Sequence, residues 1–412
     1  MGNEIKVLIN TSTFKSSEEE PVADMINQLI DHLKIENENL KFKILKPMNG
    51  SDKTISKKEF YDIHSFRYFF PKKYQNLSIK GIKPSLEENK LNLIKVIFFV
   101  IAQFFSLLKI CFSFKPDVIY CHWFLPQVIN TYLISKLFRT RFIFTSHGSD
   151  VLLLNNLGKL GSKIIKKITE SSYKYSAVSN LVLNEINKNI NINTSNDEKF
   201  TVIPMGIDDK FFNLKETPRE ISDKKKFLFI GRLIDYKGID ILLNALSKYK
   251  IDNENFELNI LGLGTEETRL RNISNQLGLR NNVNFLGFKD FDEKIKYIEN
   301  CDFFIVPSKK KSGQIEGGPL TLIEGMSFGK ICIVSNSIGF MEYCNEKNSV
   351  IFDSGNPESL YKAILFADNL SDDEKSQMSI EATTLSKNFS FQEIAKKHND
   401  FFFAEELKKF ND

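Results

Sequence analysis

The sequence predicts an α/β protein with two doubly wound parallel sheets, each in a domain of its own. Short apolar runs that suit strands alternate with helix-like runs along the chain, which is typical of parallel sheets covered by helices on both faces. At 412 residues, the chain is long enough for about two to three domains. Polar loops follow several of the buried strands, and in doubly wound folds ligands bind at this edge of the sheet.

The composition is that of an ordinary globular protein, with 42% hydrophobic and 26% charged residues. The 56 basic residues nearly balance the 52 acidic ones, and a net charge of +4 argues against a dedicated nucleic-acid-binding protein. The five cysteines form no CxxC pair, which argues against a disulfide framework or a zinc site and favours a reducing, cytoplasmic setting. The start, MGNEIKVLIN, runs directly into a strand pattern and lacks a signal-peptide pattern.

The N-terminal domain is predicted to begin with a strand at residues 5–9, a helix at 23–33 and a strand at 40–45. The lysine-rich stretch 47–89 follows, and its polar composition predicts an irregular insertion over the rim of the sheet.

Residues 91–114 form the most apolar region of the chain. Its uninterrupted run, 96–108, has 13 residues between Lys95 and Lys109, which is shorter than the ~18 to 20 needed to span a bilayer. One interpretation is a buried helix that leads into a strand at 117–122. The other is a helix on a membrane surface with its lysines at the headgroups. A second basic cluster, at 159–174, either supports this membrane contact or forms a solvated helix.

Two histidines follow predicted strands of the first domain. A strand at 141–145 leads into His147, Gly148 and Asp150, and His122 ends the strand before it. These residues should emerge at the carboxyl edge of the sheet, where they could face a ligand or act only as structural hydrogen-bonding groups. The other histidines, including His398, are assigned no role.

The second domain opens with a buried strand that ends at Ile230, a loop GRLIDYKG and a helix at 239–246. Arg232 and Lys237 lie five residues apart on this loop. Arginine binds phosphate through a planar fork and lysine as a point charge, so both could reach one diphosphate. Solvated surface charge is the alternative.

The stretch GQIEGGPLTLIEGM, residues 313–326, follows a strand predicted at 301–308. Pro319 is predicted at the first position of a helix, with the free amides of Gly318, Leu320 and Thr321 forming an anion site. Glu316 precedes the helix, and Glu324 lies roughly 8 Å along it. Two carboxylates beside an anion suit the hydroxyls on either side of a diphosphate, which describes a nucleotide sugar.

This Glu-x7-Glu stretch, the HGxD segment at His147, the GR…KG loop and the IPMGID segment resemble the signatures of retaining GT-B glycosyltransferases, especially glycosyltransferase family 4 (group 1). The resemblance implies two facing Rossmann-like domains with a cleft between them. Residues 1–208 would form the acceptor-side domain and 209–388 the nucleotide-sugar domain, with a C-terminal helix, 389–412, packing back on the first.

By this resemblance, four residues take catalytic roles. Glu316 contacts hydroxyls of the transferred sugar, and His147 faces that sugar from the first domain. Arg232 and Lys237 neutralise the diphosphate as it departs.

The resemblance also implies a set of donor-binding residues. Glu324 holds the ribose, and the turn after the strand at 283–288 lies against the base. The donor-binding candidates are Glu324, Gly317, Gly318, Leu320, Thr321 and Phe288.

The implied reaction moves a hexose from a nucleoside-diphosphate sugar to a hydroxyl with retention, and needs no metal or other cofactor. Asp290 and Asp292 resemble a metal-binding DxD triplet, but their place before a helix favours a capping role. The implied acceptor is a saccharide or a lipid-linked saccharide of a surface polysaccharide, handled in the cytoplasm at the inner face of the membrane. The chain departs from the family in two places: the loop after the first strand has no glycine, and only Gly339 precedes Glu342 where the family has two glycines.

Two other functions were compared with this one: a non-catalytic binding protein and an oxidoreductase. A non-catalytic nucleotide-sugar-binding relative, acting as a sensor or partner subunit, is the alternative. A dinucleotide-dependent oxidoreductase is disfavoured, because ILGLGTEE lacks the third glycine of GxGxxG.

Overall fold

The computed structural model describes residues 4–16, 24–49, 52–80, 82, 85–86, 89–188, 190, 198–213, 223–311 and 314–403. The chain divides into two compact units. Unit 1 comprises Met1–Val178, Val182–Pro204 and Phe391–Asp412, and unit 2 comprises Ser179–Leu181 and Met205–Ser390. The assignment of the acceptor to the first domain and of the nucleotide sugar to the second stays a prediction.

Among the described residues of unit 1, eight strands form one sheet in the order β3-β4-β2-β1-β5-β6-β7-β8. All neighbouring pairs are parallel except β3 with β4. The strands are β1 (Ile5–Asn10), β2 (Leu40–Pro47), β3 (Ile55–Lys57), β4 (Tyr61–Phe66), β5 (Val118–His122), β6 (Arg141–Ser146), β7 (Lys174–Ala177) and β8 (Phe200–Val202).

The described part of unit 2 contains a six-stranded parallel sheet in the order β11-β10-β9-β12-β13-β14. The strands are β9 (Lys225–Ile230), β10 (Phe256–Leu261), β11 (Val283–Gly287), β12 (Phe303–Val306), β13 (Ile331–Ser335) and β14 (Val350–Phe352). This is the order of dinucleotide-binding sheets, whose ligands bind at the carboxyl ends of the strands where the order reverses. In unit 2 the reversal lies between the neighbouring strands β9 and β12.

Successive residues of the unit 2 strands point to opposite faces of the sheet. Phe227 and Phe303 belong to one hydrophobic cluster, whereas Leu228 and Phe304 belong to another. Both faces are therefore covered, which confirms the doubly wound arrangement predicted from the unbroken apolar strands.

The α-helices of the described residues surround these sheets. In chain order they are α1 (Met25–Glu36), α2 (Leu77–Lys80), α3 (Asn92–Phe114), α4 (Ile129–Phe138), α5 (Ser149–Asn155), α6 (Lys159–Ser171), α7 (Asn180–Asn187), α8 (Lys210–Asn213), α9 (Ile239–Tyr249), α10 (Glu267–Gln276), α11 (Phe291–Asn300), α12 (Leu320–Ser327), α13 (Pro357–Asp368), α14 (Asp372–Ser386) and α15 (Phe391–His398).

The prediction of an irregular insertion at residues 47–89 was wrong. Strands β3 and β4 lie within it, and β4 pairs with β2 along its whole length. Tyr61 and Ile63 are buried, and they alternate with the partly exposed Asp62 and His64. The period-two pattern is only six residues long and stands among many lysines, so the composition concealed it.

Helix α3 fills the apolar region identified at residues 91–114. It has 23 residues and is long and apolar enough to cross a membrane. Only 28% of its most apolar 18-residue window is buried within the protein. Lys95 and Lys109 lie within the helix, because a lysine interrupts the apolar composition but not the backbone hydrogen bonding. The interpretation of this segment as a buried helix holds for one face only, because the opposite face carries large exposed apolar side chains.

The C-terminal helix packs in unit 1. The rings of Phe391 on α15 and His32 on α1 lie 5.9 Å apart, and Asn37 Nδ2 donates a hydrogen bond to Asn399 Oδ1 at 2.9 Å. The helix ends at His398, and residues 404–412 of the predicted helix lie outside the described residues.

Candidate active site

Helix α12 begins one residue later than predicted. Pro319 is the N-cap residue, and its carbonyl accepts a hydrogen bond from Leu322 N at 2.9 Å. Leu320 and Thr321 therefore occupy the first two helical positions, where amides have no partner within a helix. Such amides and the helix dipole favour an anion, and the anion site at this helix start stays a prediction. Gly313, at the start of the predicted stretch, lies outside the described residues.

Glu324, on α12, is held by a lysine that the sequence analysis did not identify. Its Oε1 accepts a hydrogen bond from Lys294 Nζ, on α11, at 2.9 Å. Its second oxygen, Oε2, is buried and has no hydrogen-bond partner among the described residues. Buried acceptors in proteins are normally satisfied, so Oε2 is a candidate acceptor for a hydroxyl of a ligand.

Glu316 and Lys237 form an ion pair. The distance between Glu316 Oε2 and Lys237 Nζ is 2.5 Å, and Ser308 Oγ donates a hydrogen bond to the same carboxylate oxygen at 3.2 Å. The two charged side chains are 10% and 14% exposed. The loops that follow β9 and β12 thus bring together two of the four residues predicted to be catalytic.

The loop that carries Lys237 is fixed by further ion pairs. Asp235 lies 2.7 Å from Lys311 Nζ and 2.9 Å from Lys309 Nζ, and Lys309 also lies 2.9 Å from Asp240. Hydrogen bonds from Lys311 and Lys309 lower the pKa of Asp235 to about 2, so its carboxylate stays charged. These contacts join the loop after β9 to the loop after β12 and so place Lys237 beside Glu316.

Two glycines allow the close approaches on which this arrangement depends. Gly238 has a φ of +70°, and a Cβ there would lie 1.9 Å from Pro307 O. Gly339 N donates a hydrogen bond to Glu316 O at 2.7 Å, and a Cβ on Gly339 would lie 1.9 Å from Gly317 O. A side chain at either position would force the backbone apart.

Two other candidates of unit 2 are exposed. Arg232 lies on the same loop as Lys237, and the Phe288 side chain, just after β11, is 76% exposed. Their roles in holding the diphosphate and the base stay predictions.

The Asp290–Asp292 triplet caps a helix, as predicted. Asp290 Oδ1 accepts a hydrogen bond from Glu293 N at 2.9 Å at the start of α11. Asp292 lies in the first turn, where the helix dipole favours a negative charge. In the part of the chain that the structure describes, no group of three or more His, Cys, Asp or Glu side chains is arranged to hold a metal ion.

In unit 1, His147 lies in an aromatic cluster with His122 and Trp123. His147 Nε2 is 3.4 Å from His122 Nδ1, and the Trp123 ring stacks on His147 with 4.4 Å between the centroids. Burial lowers the pKa of His147 to about 3. The imidazole is therefore neutral near pH 7 and can donate at one nitrogen while it accepts at the other.

His398 joins this cluster from α15, although the sequence analysis assigned it no role. Its Nδ1 lies 3.1 Å from the hydroxyl of Tyr120, whose ring contacts that of His122. Burial lowers the pKa of His398 to about 3 and holds the pKa of His122 well below its ordinary value. No local pattern could reveal this contact, because Tyr120 and His398 stand 278 residues apart in the chain.

Asp150, the last residue of the HGxD segment, binds the backbone of its own unit. Its carboxylate accepts hydrogen bonds from the amides of Phe124 and Leu125, which follow the histidine of β5. Asp150 therefore fixes the turn that carries Trp123 and supports the position of His147 indirectly.

We expect acid to destabilise unit 1 through its buried histidines. Their pKa values are lower in the folded protein than the ordinary value near 6.5, so the unfolded chain binds more protons below that pH. This contribution to stability is fully present above about pH 6.5. His147 and His398 each remove about 1.4 kcal/mol of unfolding free energy per pH unit as the pH falls from there toward 3.

The fluorescence of Trp123, the single tryptophan, measures this effect because its ring stacks on His147. Thermal unfolding should be followed between about pH 7.5 and 4.5. The melting temperature should fall less per pH unit in His398→Gln than in the wild type. An equal fall in both would contradict the contribution of His398 to acid destabilisation.

Two family models match this chain. The model for glycosyl transferases group 1 matches residues 211–385, and the model for glycosyltransferase family 4 matches residues 79–211. The first match contains the Glu316 and Glu324 positions, and the second contains His147.

Curated relatives share parts of the sequence. An uncharacterized glycosyltransferase of Methanocaldococcus jannaschii is 29% identical over 252 residues, which cover 60% of this chain and 64% of the relative. The amylovoran biosynthesis glycosyltransferase AmsK of Erwinia amylovora is 32% identical over 146 residues, which cover 35% of this chain and 36% of AmsK. The matched segments thus span less than two thirds of each of these relatives.

Solved structures share the fold over nearly the whole chain. Sucrose-phosphate synthase from Thermosynechococcus elongatus has a TM-score of 0.73 at 16% identity, covering 97% of this chain and 98% of its own. Anabaena Alr3699/HepE, solved in complex with UDP and glucose, has a TM-score of 0.68 at 17% identity, covering 97% of this chain and all of its own. With the two adjoining family matches, this fold shows that the chain belongs to the group 1, family 4 type of glycosyltransferases, with the GT-B fold.

Proposed function

We propose that this protein transfers a hexose from a nucleoside-diphosphate sugar to a hydroxyl of a saccharide or lipid-linked saccharide, with retention and without a metal. The bond between the acceptor oxygen and the anomeric carbon forms as the bond from that carbon to the diphosphate breaks. The proton of the acceptor hydroxyl passes to an oxygen of the leaving phosphate. The reaction takes place in the cytoplasm, at the inner face of the membrane.

The observation that carries this proposal is the buried Oε2 of Glu324, an acceptor without a partner among the described residues. It lies on a helix whose first amides, those of Leu320 and Thr321, favour an anion. A ribose hydroxyl is a donor that would satisfy Oε2 while the attached diphosphate meets the amides. A ligand that offers both groups is a nucleoside diphosphate.

The ion pair of Glu316 and Lys237 supports the transfer step. As the glycosidic bond breaks, negative charge develops on the leaving diphosphate, and Lys237 and Arg232 stabilise it. Glu316 fixes Lys237 through the 2.5 Å contact and also accepts hydrogen bonds from hydroxyls of the sugar. The proposed role of the neutral His147 is to bind a hydroxyl of the transferred sugar.

The comparisons support the substrate classes. AmsK is named for the biosynthesis of amylovoran, which agrees with an acceptor that belongs to a surface polysaccharide. Alr3699/HepE was solved with UDP and glucose, which agrees with a nucleotide-sugar donor.

The direct test is thermal stabilisation by UDP and by GDP. A nucleotide at 100 times its dissociation constant should add about 2.7 kcal/mol to the free energy of unfolding. One of the two nucleotides should stabilise the wild type more than the other, and Glu324→Gln should lose most of that stabilisation because the amide replaces an acceptor oxygen for the ribose.

The matched control is Glu346→Gln, since Glu346 is an exposed glutamate of the same unit. It should keep the full stabilisation. If neither nucleotide stabilises the wild type, or if Glu324→Gln responds as the control does, the proposed donor site is wrong. Stabilisation without turnover of any nucleotide sugar would favour the non-catalytic alternative.

A further inference from the structure

Helix α3 is apolar on two opposite faces, and the protein covers one of them. The covered face consists of Phe99, Gln103, Leu107, Ile110, Cys111 and Phe114. The opposite face carries large side chains that are 47–66% exposed, namely Ile94, Ile97, Phe98, Ile101, Phe105 and Phe112. We call these six residues the α3 apolar face. Steps of three and four residues keep each set on its own side of the helix.

The exposed apolar surface continues onto α4. The rings of Phe112 and Phe138 meet with their centroids 4.8 Å apart, and Leu133 and Leu137 are 49% and 62% exposed. Single exposed apolar residues are ordinary, but a continuous patch across two neighbouring helices marks an interaction surface.

Lysines lie on the helices that form this surface and on the neighbouring α6. Lys109 is exposed on α3, and Lys136 and Lys167 approach the Tyr132 ring of α4 at 5.8 and 5.9 Å. Neither the 23 residues of α3 nor the 10 residues of α4 include an aspartate or glutamate. The surface is therefore apolar at its centre and positive at its edge.

We propose that the α3 apolar face docks on an anionic phospholipid bilayer, with α3 in the plane of the surface. The phenylalanine and isoleucine side chains enter the boundary between headgroups and acyl chains, and the lysines meet the phosphates. This assigns a docking surface independently of the donor chemistry, so it can hold or fail whether or not the proposed transfer is correct.

The contacts of the covered face exclude a spanning orientation of α3 in the folded unit. Gln103 Nε2 donates to Asn10 Oδ1 of β1 at 3.0 Å, and Asn130 Nδ2 of α4 donates to Gln103 Oε1 at 2.8 Å. If α3 left the sheet to cross a bilayer, these buried amides would lose their partners at a high cost in free energy.

A second copy of the chain is a poorer occupant of this surface than a bilayer. A two-fold dimer would place the same positive edge of each copy against its equivalent, and no acidic residue of α3 or α4 could compensate. Anionic headgroups provide the opposite charge.

The test is sedimentation of the full chain with vesicles of phosphatidylcholine, with and without phosphatidylglycerol. The variant Ile101→Ser/Phe105→Ser should partition about tenfold less well into anionic vesicles. The matched control is Phe366→Ser/Ile380→Ser, which changes two side chains of unit 2 that are 58% and 57% exposed and should partition like the wild type. Lys109→Gln and Lys136→Gln should each weaken binding about fivefold, and only to vesicles that contain phosphatidylglycerol.

Three outcomes would overturn the proposal. The first is that the wild type stays in the supernatant with anionic vesicles, or that Ile101→Ser/Phe105→Ser binds them as well as the wild type does. The second is a dimer in solution that this variant dissociates without any effect on vesicle binding, which assigns the face to a second copy. The third is binding that survives both high salt and alkaline carbonate, which indicates a spanning helix. Unchanged circular dichroism of each variant excludes unfolding as the cause.

Discussion

Replacing Glu316 with glutamine should lower the kcat of sugar transfer by about 10²–10³-fold while nucleotide binding is retained. Glutamine keeps the shape of the side chain but removes the charge that lies 2.5 Å from Lys237 Nζ. It also places a donor amide where one of the acceptor oxygens for a sugar hydroxyl should be. The loss falls on kcat because these interactions matter most when charge moves from the sugar to the leaving diphosphate.

The measurement is the initial rate of transfer from the nucleotide sugar whose nucleotide stabilises the wild type, with Glu346→Gln as the control. Thermal stabilisation by the nucleotide, measured on the same samples, separates catalysis from binding. An unchanged kcat in Glu316→Gln would contradict its catalytic role. If the variant instead loses its nucleotide stabilisation, Glu316 acts in donor binding.

The unit 2 fold could be predicted from the sequence because each central strand is a short apolar run between polar loops. The structure places β12 within two residues of its predicted bounds, 301–308. Strand β4 escaped prediction because its alternation is short and one face carries the charged Asp62. A strand that is buried on both faces is a continuous apolar run and is easily recognised, whereas a half-exposed strand near the edge of a sheet shows only a short alternation.

Helix α3 shows a different limit of the sequence. A helix that is apolar all round can be buried or can meet a membrane, and nothing in its own pattern selects the face that the protein covers. That choice depends on Asn10 and Asn130, whose hydrogen bonds to Gln103 link distant parts of the chain.

The site was predicted as a set of residues but not as a set of contacts. Glu316 and Lys237 were both named, yet their ion pair was not, because each was assigned to a different part of the ligand. Lys294 and Lys309 stand in no recognisable motif, and they become part of the site only through pairing with Glu324 and Asp235. A partner supplied by another loop leaves no signal in the spacing of a motif.

Replacing Gly339 with alanine should reduce kcat about 10²-fold and lower the stability of unit 2 by about 1–3 kcal/mol. The new Cβ would lie 1.9 Å from Gly317 O and 2.6 Å from Ser179 Oγ. A backbone carbonyl cannot rotate away as a side chain can, so the loop must shift. Glu316 shifts with it, because its carbonyl accepts the hydrogen bond from Gly339 N at 2.7 Å.

Gly278→Ala is the control that separates a displaced site from a weakened fold. Gly278 has a φ of +69°, so alanine there costs about 1–2 kcal/mol of backbone strain. The new Cβ has no atom within 4 Å and makes no steric clash. Both variants should melt at lower temperatures than the wild type, and kcat measured well below those temperatures should fall only in Gly339→Ala. Equal kcat values in the two variants would contradict a positioning role for Gly339, because the shift of the loop would then leave the Glu316–Lys237 pair competent for transfer.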